Sequence, residues 1–224
     1  MIVLRSMAKS SLVHPIVILA LGLVAGCSRG AAPAETPAKA PAAAASPAAH
    51  RVAGRVLTPD GVLAIVTLRP REPREFPKPS EPAIEDQVAK TFAPELLFAR
   101  AGLPVVFRNS DAYLHNVNVK NEETREQAFN VAIPSGAVYA FTFPRDGVYA
   151  VTCDIHPEMM AWVVAAPSPF AAQTTADGRF AFDNVPAGPY VVVAYVEKRR
   201  YEQEIDVGGA EGAEEKITVD AQAR

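Results

Sequence analysis

The sequence predicts an all-β fold, and three observations carry that expectation. Apolar side chains come in short alternating or continuous runs of four to nine residues, the length of strands. Glycine, proline, asparagine and aspartate punctuate them, as in Thr58-Pro59-Asp60-Gly61 and Ala176-Asp177-Gly178, where glycine admits the positive φ a tight turn needs. The run Tyr190 to Val196 has no polar face at all, which marks a central strand covered on both sides.

The first 26 residues read as an export signal. Arg5 and Lys9 charge its start, and Pro15 to Ala25 form an apolar stretch too short for a good membrane span. It ends in Leu23-Val24-Ala25-Gly26-Cys27, which resembles the lipobox of bacterial lipoproteins. That resemblance implies a lipidated Cys27 and a periplasmic protein, and Ser28, in place of Asp, implies the outer membrane. Residues 27–50, rich in alanine and proline, cannot bury enough apolar surface to fold and are expected to be a disordered tether that includes His50. The chain has two cysteines, so with Cys27 lipidated Cys153 has no disulfide partner, and a metal is one way to occupy an unpaired thiol in an exported protein. The net charge of −3, lowered further without Arg5 and Lys9, excludes nucleic acid as a partner. The basic run Lys198-Arg199-Arg200 reads as the solvated end of a strand.

Strands are expected in order at 51–57 and 63–69, on either side of the first turn. Residues 71–82, with four prolines, should be irregular. Six more strands follow at 95–100, 105–108, 115–120, 138–143, 148–153 and 161–165. The 115–120 strand alternates, Val117 and Val119 to one side against Asn116, Asn118 and Lys120 to the other, as a half-buried strand does. Strands at 180–182, 190–196, 204–207 and 216–220 close the chain.

The segments VAGRVLTPDGVLAIVTLRP and TTADGRFAFDNVPAGPYVVVAYVEKRRYEQEIDV resemble the opening and the second half of a carboxypeptidase regulatory-like, or transthyretin-like, β-sandwich. In that family the two pieces are nearly contiguous, whereas about a hundred residues separate them here. The expectation is a sandwich made of residues 51–70 and 167–224 with a second domain, 71–166, inserted between its strands. The alternative is two domains in tandem.

Within that middle segment the chemistry concentrates. Cys153, His156 and Met159 fall in Cys-Asp-Ile-His-Pro-Glu-Met, and His115 lies upstream. A thiolate, two imidazoles and a thioether suit a copper ion that cycles between oxidation states, because neither the soft Cu(I) nor the harder Cu(II) dominates such a set. The segments FRNSDAYLHNV and YAVTCDIHPEMMAWVV resemble the ligand-bearing parts of cupredoxins such as plastocyanin and amicyanin, and the C-x-x-H-x-x-M spacing matches the short amicyanin-like loop. The resemblance spans roughly residues 84–166. It implies a Greek-key sandwich with one type 1 copper ion held by His115, Cys153, His156 and Met159. It also implies that Asn116 ties the ligand loop to its strand without touching the metal. Met160 competes with Met159 for the axial place but reads as the first core-facing residue of the last strand. Asp111 and Asp154 read as turn formers.

The expected activity is one-electron transfer with an unidentified redox partner protein. His156, between Ile155 and Pro157, should present its ring edge through a small apolar surface. No further multi-histidine centre can be assembled from the mature sequence, so no catalysis by the chain alone is expected. The competing expectations are a copper carrier or sensor, and a zinc site, since cysteine and two histidines also serve zinc.

Overall fold

The computed structural model describes residues 49–59, 62–208 and 214–222, so the export signal, Cys27 and nearly all of the expected tether lie outside the described residues. Among these residues the chain forms strands and no helix. In chain order the strands are β1 (Ala49–Leu57), β2 (Ala64–Pro70), β3 (Ala83–Val88), β4 (Thr91–Ala93), β5 (Leu96–Arg100), β6 (Pro104–Asn109), β7 (His115–Asn121) and β8 (Gln127–Ile133). They continue with β9 (Val138–Thr142), β10 (Gly147–Thr152), β11 (Met160–Ala166), β12 (Ala171–Gln173), β13 (Arg179–Pro186), β14 (Gly188–Val196), β15 (Arg199–Val207) and β16 (Glu214–Asp220).

These strands build two sandwiches. In the middle of the chain, a sheet ordered β4-β3-β6-β9 faces one ordered β5-β11-β10-β7-β8. The chain leaves the first sheet after β6, makes β7 and β8 in the second, and returns for β9, which is a Greek-key path. Val105, Phe107, Val117, Val119, Val151 and Val163 are among the side chains that fill the space between the sheets. The other sandwich pairs a sheet ordered β13-β1-β16 with one ordered β12-β2-β14-β15, so β1 and β2 find their partners beyond residue 166. Its core includes Val52, Val66, Leu68, Tyr190 and Val192.

The run with no polar face is explained by its position. β14 lies between β2 and β15, with Val192, Ala194 and Val196 turned into its own sandwich. Val191, Val193 and Tyr195 face the other way and meet Val148 and Val164 from the outer face of the neighbouring sandwich. The two sandwiches thus share a third apolar layer. Ion pairs fringe it: Asp146 lies 3.7 Å from both Arg69 and Arg200, and Arg200 reaches Glu123 at 4.0 Å. Arg200 is therefore not a solvated strand end, because the neighbouring sandwich supplies carboxylates to it, whereas Lys198 and Arg199 are exposed. Residues 71–82 are irregular, as their prolines require, and Arg74 anchors them through the carbonyls of Pro186 and Ala187 and the Tyr190 hydroxyl.

Four strands were not foreseen, and each has a reason. β4 and β12 are three residues long, below any periodic signal. β8 alternates only weakly between half-buried and exposed positions. β3 inverts the usual pattern: Glu85 and Gln87 turn inward while Ile84 and Val88 face solvent. His50 also departs from expectation. It is not a tether residue but sits in β1, paired with Val185 and only 2% exposed, because pairing with β13 extends to Ala49.

Candidate metal centre

The site forms where one end of β7 meets the β10–β11 loop. Asn109, fully buried at the end of β6, organises the approach to β7. Its amide donates to the carbonyls of Tyr113 (2.7 Å) and Ile133 (2.8 Å), and its Oδ1 accepts the Asp111 amide at 3.0 Å. The loop therefore delivers His115 to the inner face of β7, where it is fully buried. Alternation does the rest: His115 and Val117 point into the sandwich, and Asn116 and Asn118 point out.

The loop from Cys153 to Met159 closes on itself. The Met159 amide donates to the His156 carbonyl at 2.9 Å, the Cys153 amide to the Met159 carbonyl at 3.4 Å, and the His156 amide to Cys153 Sγ at 3.4 Å. These bonds aim the side chains at one point. His115 Nδ1 and His156 Nδ1 face each other at 2.9 Å, and Cys153 Sγ lies 3.9 Å from His156 Nδ1. The three donor atoms all fall within 4.8 Å of one another, and this is the one such cluster of His, Cys, Asp or Glu among the described residues.

The donor set fits copper. Two imidazole nitrogens and a sulfur that converge on one point are donors both copper and zinc accept, and a thioether, which Met159 in the same core could offer, suits copper rather than zinc. The His115–Cys153–His156 cluster could hold a copper ion. Met159 is buried at 1% exposure and Met160 is 48% exposed, so Met160 is not the core-facing residue the sequence suggested. β11 begins with Met160 on its outer face, and Met159 is the methionine packed in the interior with Cys153.

Of two carboxylates expected only to shape turns, Asp111 contacts a histidine of the site and Asp154 is bound to the strands beside it. Asp111 Oδ2 pairs with His115 Nε2 at 2.9 Å, and the carboxylate also accepts the amides of Lys90 (2.8 Å) and Ala89 (2.7 Å). The Lys90 amide foremost, then His115 and the Ala89 amide, hold the Asp111 carboxyl below the usual carboxylate range. With Nε2 committed to Asp111, the His115 ring presents its Nδ1 lone pair to the cluster. Asn116 Oδ1 accepts the Asp154 amide at 2.6 Å, which ties loop to strand. The Asp154 carboxyl is held below its usual range by the side-chain amides of Asn118, Asn130 and Asn116. The available sequence signals were Asp111 four residues before His115, and Asn116 and Asn118 in an expected strand despite asparagine's poor strand propensity.

Outside the cluster, Tyr113 (56% exposed), Leu114 (51%) and Ile155 (47%) leave large apolar surface in the two segments that carry the histidines. His156 itself is partly exposed, unlike His115.

No protein-family model matches the chain. No curated protein matches it either. Among solved structures it is similar to amicyanin from Paracoccus versutus, at 22% identity over 39% of this chain and 84% of that one, with a TM-score of 0.35. A purple cupredoxin from Nitrosopumilus maritimus aligns at 23% identity over 38% of this chain and 99% of that one, with a TM-score of 0.34. The copper-containing nitrite reductase of Thermus scotoductus aligns at 24% identity over 43% of this chain and 25% of that one, with a TM-score of 0.35.

Proposed function

We propose that this protein is a type 1 copper protein that carries single electrons. The observation that supports it most is the convergence of His115 Nδ1, His156 Nδ1 and Cys153 Sγ on one point inside a β-sandwich. In this reading His115, Cys153, His156 and Met159 would hold the copper ion. A copper ion held there would supply a one-electron couple with little change in geometry. The chain's own part is to hold the donors rigid and keep water out. Burial of His115, Cys153 and Met159, together with the hydrogen bonds that close the 153–159 loop, supports that role.

His156, partly exposed beside Ile155 and in ring contact with His115, is the exit for the electron, and the exposed apolar side chains Tyr113, Leu114 and Ile155 in the two histidine-bearing segments suit the small, transient contact of a redox encounter. The redox partner is a protein of unknown identity. Export to the periplasm, lipidation of Cys27, outer-membrane anchoring, and a carboxypeptidase regulatory-like character for the sandwich of β1, β2 and β12–β16 belong to the same proposal. So does the absence of catalysis.

The test is to titrate the protein with Cu(II) and record its visible spectrum. An intense thiolate-to-copper band at one equivalent, absent in Cys153→Ser, is the expected result. A colourless protein that prefers zinc, or one that surrenders copper readily to a weak chelator, would move the reading to a zinc site or to a copper carrier.

A further inference from the structure

Asp154 sits one residue after Cys153, yet its side chain faces away from the metal ligands. Cys153 points into the sandwich and belongs to its core. Asp154 lies over the outer face, at the end of a cross-strand row in which Thr152 pairs with Asn118 and Asn118 with Asn130. Three side-chain amides close on its carboxylate. Asn118 Nδ2 donates to one oxygen at 2.9 Å, and Asn116 Nδ2 (3.0 Å) and Asn130 Nδ2 (2.9 Å) donate to the other. The Asp154 backbone amide donates to Asn116 Oδ1, and Asn116 Nδ2 also donates to Asn130 Oδ1 at 2.8 Å. One acidic side chain thus joins the start of the ligand loop to two successive strands, β7 and β8.

A turn-forming aspartate needs one or two local amides. Three donors from two other strands are far more than a turn requires, and asparagine is a poor strand residue with no reason of its own to occupy three positions there. Charge-assisted hydrogen bonds are about twice as strong as neutral ones, so the clasp is a stiff one.

We infer that Asp154 is a positioning residue of the metal centre, fixing the Cys153 and His156 donors before metal arrives and setting a fixed negative charge beside the thiolate. The clasp works through geometry, since the loop cannot swing Cys153 away from His115 while Asp154 is gripped by β7. It also works through charge, since an anion near the metal favours the more positive oxidised state. Partners in the shell around the ligands act in this way on metal affinity, typically by tenfold to a hundredfold.

The inference rests on the copper reading, and the experiment separates the two. Wild type, Asp154→Asn and Asn130→Ala are loaded with one equivalent of Cu(II). Three quantities are read: the thiolate-to-copper band, the midpoint potential, and the rate of Cu(II) loss to EDTA. Circular dichroism and melting of the metal-free forms report folding. In Asp154→Asn we expect a higher midpoint potential and Cu(II) loss faster by about tenfold or more. Asn130→Ala removes one donor from an edge strand and keeps the charge; it should speed Cu(II) loss less, without raising the potential. It also serves if Asp154→Asn does not fold. A potential and loss rate equal to wild type in a folded Asp154→Asn, or a lowered melting temperature with neither changed, would overturn the inference while leaving the copper site standing. A wild type that forms no thiolate-to-copper band would overturn the copper reading and the inference together.

Discussion

Replacing Glu85 with glutamine tests the inverted register of β3. Glu85 is fully buried, lies beside Phe107 in the parallel β3–β6 ladder, and has no hydrogen-bond partner for either carboxylate oxygen. Burial first, and the charge of Asp86 second, push its carboxyl up from 4.5 to about 8. A carboxyl raised in this way keeps its proton in the folded protein and releases it on unfolding. Its contribution to stability is therefore largest below about pH 4.5 and falls as pH rises toward 8. Each pH unit across that window costs about 1.4 kcal/mol, so by pH 7 the loss is about 3 kcal/mol. Glutamine does not ionise and removes the slope. Its own amide, also buried without a partner, costs about 1–3 kcal/mol at every pH, so the pH dependence is the diagnostic and the offset is not. Urea unfolding of both metal-free proteins between pH 5 and 8 measures it. The difference, Glu85→Gln minus wild type, should grow steadily with pH; a constant difference would refute a buried, uncompensated carboxyl at this position.

The remaining predictions concern the proposed fourth ligand and the layer between the sandwiches. If Met159 holds the copper, Met159→Gln should shift the thiolate-to-copper band and lower the midpoint potential, because a harder donor favours Cu(II), whereas Met160→Gln should leave both unchanged; equal effects would remove Met159 from the ligand set. Val193→Ala deletes a fully buried side chain where the two sandwiches meet. It should cost about 2 kcal/mol in urea unfolding while leaving the copper spectrum intact, and a loss below about 0.5 kcal/mol would mean the layer contributes little.

What the sequence revealed depended on whether one local signal sufficed. β14 was legible because a seven-residue apolar run has one physical meaning, burial on both sides, although which surfaces cover it could not be read. The pairing of Cys153 with His156 was legible because two rare donor types fall within four residues. β3 was not, since Glu85 and Gln87 point inward and defeat any rule that buries the apolar residues. His50 was misread because its strand begins in an alanine-rich stretch, and only pairing with Val185, far along the chain, gives it structure. Asp111 and Asp154 were seen as turn residues because their partners come from elsewhere: Lys90 and Ala89 for one, Asn118 and Asn130 for the other. Local sequence reports what a residue can do, and long-range pairing decides which of those things it does.

X-ray absorption at the copper edge, on protein carrying one equivalent of Cu(II), addresses the convergence of the three donors most directly. The coordination described above predicts one short sulfur scatterer and two imidazole nitrogens around a single copper. A first shell of nitrogen and oxygen alone, with no sulfur, would contradict it.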